Sequence, residues 1–163
     1  MKKMALDATD IRILSVIQQQ GHLSKSNLAE LVHLSPTPCW ARLNKLKMAG
    51  LIRGYHADIA LNLIGDVTKV IVTLKLTSHR NSDFQRFESY IGKLDQVVDC
   101  IATGGGTDYV IKVVTSSLTE FQNIMERLLN AELGIGHYMT YIVTREIKSS
   151  QPNLKLLANK QDY

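Results

Sequence analysis

At Gly65 the hydrophobic rhythm of the chain changes. Before it, Ile11, Leu14 and Ile17 recur three apart, and Cys39, Leu43 and Leu46 recur at four and three. After it, Val70, Val72, Leu74 and Leu76 alternate with Thr73, Lys75 and Thr77. A period near 3.6 buries one stripe of a helix, and a period of two buries one face of a strand. The chain must therefore hold a helical module followed by one built on a sheet. Its 163 residues, 45% of them hydrophobic, give room for two small cores.

The first module reads as three helices. Residues 7–20 start with Asp7 as a cap and Asp10 at the positive end of the dipole, and Gly21 ends them. Residues 24–32 start with Ser24 as cap and turn Leu28, Leu31 and Val32 inward, with His33 and Leu34 as a short connection. The third helix lies in LSPTPCWARLNKLKMAG, residues 34–50, ended by Gly50. Residues 51–57 then read as a short strand or wing. Two helices joined by a tight turn, with a third before them, form the pattern of a helix-turn-helix.

The third helix opens with two prolines. Proline harms a helix interior, but the first four N–H groups of a helix have no internal partner. With Ser35 as N-cap, Pro36 and Pro38 delete no intrahelical bond and leave the Ser35 and Thr37 hydroxyls as the main polar groups there. Cys39, Leu43 and Leu46 face inward. Thr37, Trp40, Ala41, Asn44, Lys47 and Met48 fall opposite, with Arg42 and Lys45 on a flank. Hydroxyls and amides can read base edges in a major groove, and Arg and Lys can reach guanine or phosphate. The candidate DNA contacts are therefore Ser35, Pro36, Thr37, Pro38, Trp40, Arg42, Asn44, Lys45 and Lys47. From this stretch alone, a solvated surface helix stands as the alternative. The charge favours DNA: residues 1–60 hold eight Lys/Arg against four Asp/Glu, so the whole net charge of +4 sits in the first module.

The second module reads as βαββαβ, the split βαβ or ferredoxin-like order. Strands are predicted over 67–77, 97–103, 109–115 and 137–148. One helix spans 82–94, with Ser82 and Gln85 as a capping box. A second spans 117–130, with Ser117 and Glu120 in that role. The helices cover one sheet face, and the other carries enough Thr, Val and Tyr to invite a second subunit. The domains are thus 1–57, a linker 58–66, 67–148 and a tail 149–163, in an α+β chain. Between two strands lies TGGGTDYV, residues 103–110. Taken alone, it either cradles an anion or closes a hairpin. It lacks the spacing of a P-loop, and no GxGxxG is present.

The run from Ser35 to Cys39, then Arg42, Lys45, Leu46 and Gly50–Ile52, resembles the recognition-helix signature of the Lrp/AsnC (leucine-responsive/asparagine-responsive) transcription regulators. LDATDIRILSVIQQQG is similar to that family's first helix, and the likeness runs through Lys148. Asn44 and Lys47 depart from it, standing where Arg or Lys and Glu are common. The resemblance implies a winged helix-turn-helix followed by a ferredoxin-like ligand-sensing (RAM) domain. It also implies dimers that assemble further, to an octamer or another form, on double-stranded DNA. It places a small effector, usually an amino acid, at Gly104, Gly105, Gly106, Asp108 and Tyr109, with Thr140 and Tyr141 near the same pocket. Thr107 replaces the usual aromatic.

Other classes find less support. No HExxH, GxSxG or paired-carboxylate cluster is visible, no two histidines have metal-ligand spacing, and no cofactor motif appears, so neither an enzyme nor a metal site is expected. No apolar run reaches membrane-spanning length, and no secretory leader is read in the first residues. Cys39 and Cys100 form no CxxC pair, which points to a reducing cytoplasm. Two alternatives stay open: a thiol-sensing regulator using Cys39, and a ligand-sensing interaction module that binds no DNA.

Overall fold

The computed structural model describes residues 4–158, so 159–163 of the expected tail lie outside the described residues. The chain divides into residues 1–59 with 148–163, and residues 60–147.

In the first unit, α1 spans Ala8–Gln19, α2 Lys25–Leu31 and α3 Pro36–Met48. Asp7 and Asp10 form a reciprocal capping box. The Asp10 N–H donates to the Asp7 carboxylate at 2.8 Å, and the Asp7 N–H donates to that of Asp10 at 3.3 Å. Ser24 caps α2 by accepting from the Asn27 N–H at 3.1 Å. Ile13, Ile17, Leu28, Ala29, Val32, Cys39, Leu43 and Leu46 form one buried core. The turn between α2 and α3 is closed by two bonds, His33 N–H to Glu30 O and Leu34 N–H to Ala29 O, with His33 left-handed at φ 56°. Gly50, at φ 72°, closes α3 in the same way.

The strand expected over 51–57 does not form. Residues 52–60 carry no regular structure. The tail contributes a short helix, α6 (Leu154–Leu157), which is capped by Asn153 and packs against α1.

The second unit begins with a 3-10 turn, Leu61–Leu63, and continues with β1 (Thr68–Leu76), α4 (Asn81–Ile91), β2 (Val97–Ala102), β3 (Tyr109–Thr115), α5 (Leu118–Asn130) and β4 (Ile135–Ile142). The sheet order is β2-β3-β1-β4, with every pair antiparallel. Register sets the faces. Val70, Val72 and Leu74 lie opposite Val113, Ile111 and Tyr109, and this row packs with Phe87, Ile91, Phe121, Ile124 and Leu128 of the two helices. Burying such side chains stabilises the fold by about 1.5–3 kcal/mol each. On the other face, Ile71 and Val110 are half-buried and Tyr141 is exposed.

Three local expectations are corrected. The Ser82–Gln85 capping box is absent: α4 starts at Asn81, with Arg80 as N-cap, because the Arg80 carbonyl accepts the first helical bonds from Asp83 and Phe84. In α5, Ser117 caps Glu120 as expected, but the Glu120 carboxylate turns to the N–H and hydroxyl of Ser116. The last strand is shifted from 137–148 to Ile135–Ile142. A bulge between Lys75 and Leu76 brings Ile135 into the ladder, and the ladder ends at the Val70–Ile142 pair. Gly136 allows that approach, since a Cβ there would lie 2.6 Å from Thr77 Cγ2. No helix among the described residues is long and apolar enough to cross a membrane.

Candidate nucleic-acid interface and glycine loop

Ser35 is the N-cap of α3, with extended backbone at φ −73° and ψ 152°, and Pro36 is the first helical residue. An N-cap hydroxyl ordinarily accepts from the second or third N–H of its helix. Pro38 removes the third, and the Ser35 side chain makes no capping bond. Its hydroxyl is left for an outside partner. Thr37, Ala41, Asn44 and Met48 lie exposed along one stripe of α3, with Lys45 exposed beside them. Cys39, Leu43 and Leu46 are buried beneath.

Arg42 is engaged within the unit. Its Nη1 pairs with Asp7, and with Asp10 at 2.9 Å, fastening α3 to the capping box of α1. Asp7 is held below the usual carboxylate range, first by the Asp10 N–H and then by Arg42. Trp40 is half-buried and touches the core. The Lys25 ammonium sits 4.0 Å from its ring centroid and that of Lys47 5.4 Å away. Lys47 also lies 5.3 Å from the Tyr55 ring. Cys39 is buried, and burial pushes its thiol pKa up rather than down, against a thiolate sensor.

The glycine loop follows β2. Gly104, Gly105 and Gly106 are exposed, with Gly105 at φ 118°, a conformation open to glycine alone. The loop is tied down at its ends. Thr103 N–H donates to Asp108 O at 2.8 Å, and the Thr107 hydroxyl donates to Leu74 O at 2.8 Å. The Asp108 carboxylate accepts from the Leu76 N–H at 2.7 Å, and His79 Nε2 lies 3.1 Å from both its oxygens. Tyr109 points away from the loop into the core and donates to Glu88 at 2.7 Å. Burial first, and then Glu88, push its phenol pKa up. Thr140 and Tyr141 are neighbours on a strand, so they point to opposite faces, opposite Val72 and Ile71. The loop is anchored at Leu74, whose β4 partner is Tyr138, so within one chain it stands off from Thr140 and Tyr141.

Residues 6–53 match the family of winged helix-turn-helix DNA-binding domains, and residues 69–153 match the Lrp/AsnC ligand binding domain. The chain belongs to the Lrp/AsnC family. It is 35% identical to the transcriptional regulatory protein DoeX of Halomonas elongata, over 94% of this chain and 97% of that protein. It is 32% identical to a leucine-responsive regulatory protein of Haemophilus influenzae, over 91% of this chain and 90% of that one. A transcriptional regulator from Neisseria meningitidis, solved in complex with L-Met, superposes with a TM-score of 0.86 at 29% identity, covering 93% and 99% of the two chains. This Lrp/AsnC protein is a DNA-binding transcription regulator with a separate effector-binding domain. Sequence reasoning did not single out Lys25 and Tyr55, which the structure sets beside Trp40 and Lys47. Lys25 is fifteen residues from Trp40 and Tyr55 is eight from Lys47, beyond the reach of helix spacing, and the only local signal was basic and aromatic residues close to the third helix.

Proposed function

We propose that this regulator lays α3 into a major groove, with Ser35, Thr37 and Asn44 at base edges and Lys45 and Lys47 toward phosphates. The observation that carries the reading is the free Ser35 hydroxyl at a proline-opened helix end, continuous with the exposed stripe of Thr37, Ala41, Asn44 and Met48. Two chains join through the uncovered sheet faces, where Ile71, Val110, Met139 and Tyr141 need a partner. Dimers assemble further and present recognition helices to successive grooves. The protein acts by binding rather than catalysis, in the cytoplasm with its DNA.

The effector in this reading is an α-amino acid. Its carboxylate meets the backbone N–H groups of Gly104–Gly106, and its ammonium meets Asp108. A carboxylate has about four lone-pair sites, and the Leu76 N–H and His79 Nε2 do not fill all of them, so Asp108 keeps room for a ligand. The L-Met bound by the Neisseria regulator supports the class. Thr140 and Tyr141 join the pocket only from a neighbouring chain. Calorimetry of the full-length protein against a panel of amino acids tests this: one should give saturable heat that Asp108→Ala abolishes. Absence of heat across the panel contradicts the effector class.

A further inference from the structure

Trp40 is the residue whose role the groove-reading account leaves open. Its ring is neither inserted in the core nor free. Two ammonium groups, from Lys25 on α2 and Lys47 on α3, lie within 5.4 Å of the ring centroid. Lys47 is shared with Tyr55, whose ring lies close to Gly21, 3.5 Å from where a Cβ would stand. Three segments of the first unit thus supply the two cations and the rings they rest on. Neither ammonium forms an ion pair among the described residues. The neighbourhood offers little to neutralise them: residues 20–56 hold five Lys/Arg and the single acid Glu30. A π face attracts a cation but does not cancel its charge, so the cluster calls for an anion from outside.

We propose that Trp40 is a positioning residue, an aromatic splint that holds Lys25 and Lys47 together as one clamp on a DNA backbone strand. This rests on the reading of α3 as the recognition helix. A free lysine samples many rotamers and loses that freedom when it grips a phosphate. Resting on a ring, it has lost much of it before DNA arrives. The clamp grips the backbone beside the groove and carries no sequence information of its own. Trp40 therefore does not read or unstack bases.

The test uses the full-length protein and one duplex selected by it from a random-sequence pool, with affinity measured across a series of salt concentrations. Lys25→Ala and Lys47→Ala should each lower the magnitude of the log–log salt slope by about 0.9 for every recognition helix engaged, hence by about 1.8 for a dimer on two half-sites. Trp40→Leu should weaken binding several-fold with the slope kept, because both lysines remain. Trp40→Phe should restore most of the loss, since a ring face returns. A merely structural Trp40 would not give this pattern of slope and rescue. An unchanged slope in both lysine variants, or equal losses in Trp40→Leu and Trp40→Phe, overturns the clamp while leaving DNA recognition by α3 standing. A Trp40→Leu protein with altered preference between duplex sequences shows base contact and overturns it too. Failure of the wild-type protein to bind any duplex overturns both readings.

Discussion

Arg42 Nη1 lies 2.9 Å from Asp10 Oδ1 and also pairs with Asp7, so the middle of the recognition helix is fastened to the first turn of α1. Asp10 is 4% exposed and needs that partner more than the half-exposed Arg42 does. The contact ties α3 to α1 by a charged pair in addition to their packed core.

Arg42→Ala should therefore lower the melting temperature of the first unit and leave the salt slope of DNA binding unchanged below that temperature. Asp7 has a folded-state pKa below its ordinary 3.8. Its stabilisation is full above that value and is lost as the pH falls through the lowered one. Loss of Arg42 should shrink the acid dependence in that window. A reduced salt slope in Arg42→Ala would mean that the guanidinium grips phosphate instead.

His33 closes the turn of the helix-turn-helix in a left-handed conformation, at φ 56°. Such a conformation costs an L-residue with a Cβ roughly 1–2 kcal/mol, part of which glycine returns through its freer unfolded chain. His33→Gly should stabilise the unit by about 1 kcal/mol or less. Urea unfolding checks this as a raised midpoint with an unchanged slope.

Two serines that both look like caps separate cleanly. Ser24 accepts from Asn27 N–H, whereas Ser35 caps nothing. Ser24→Ala should cost about 1 kcal/mol of stability. Ser35→Ala should change stability by less than about 0.5 kcal/mol, as for an ordinary surface change, yet weaken DNA binding. Melting curves and mobility shifts on the same preparations measure both.

Much of this was legible locally. Asp7, Ser24 and Gly50 announced their helix ends, and the alternation of Tyr109–Thr115 matched its strand to the residue. What was not legible depends on distant partners. Arg42 meets Asp7 across 35 residues of sequence, which helix spacing cannot reveal. Ser82 looked like a cap, but the choice of first helical residue fell to the Arg80 carbonyl. β4 starts at Ile135 because a bulge in its pairing with β1 brings that residue into register, which its own composition does not show. Tyr109 matched a binding motif, yet strand parity sends it into the core beside Glu88. The glycine loop was visible as a loop, but its anchoring through Asp108 to Leu76 and His79 was not.

The two thiols should differ in accessibility. Cys39 is buried, and burial raises its pKa; Cys100 is exposed on β2, its pKa raised by burial, then by Glu88 and Asp99. Thiol labelling of the native protein should modify Cys100 ahead of Cys39, and mild oxidants should leave DNA binding unchanged. Loss of binding on oxidation, cured by Cys39→Ser, would restore the thiol-sensing alternative.

The most direct test of the recognition helix is the sequence preference of Asn44→Ala in the full-length protein. Affinities for the selected duplex and for single-base variants of it would be compared with wild type, at one fixed salt concentration. Recognition by α3 predicts relaxed discrimination at one or two base pairs, about 1–3 kcal/mol per lost contact, with non-specific binding unchanged. Identical discrimination in wild type and in the Thr37→Ala and Asn44→Ala variants would contradict it.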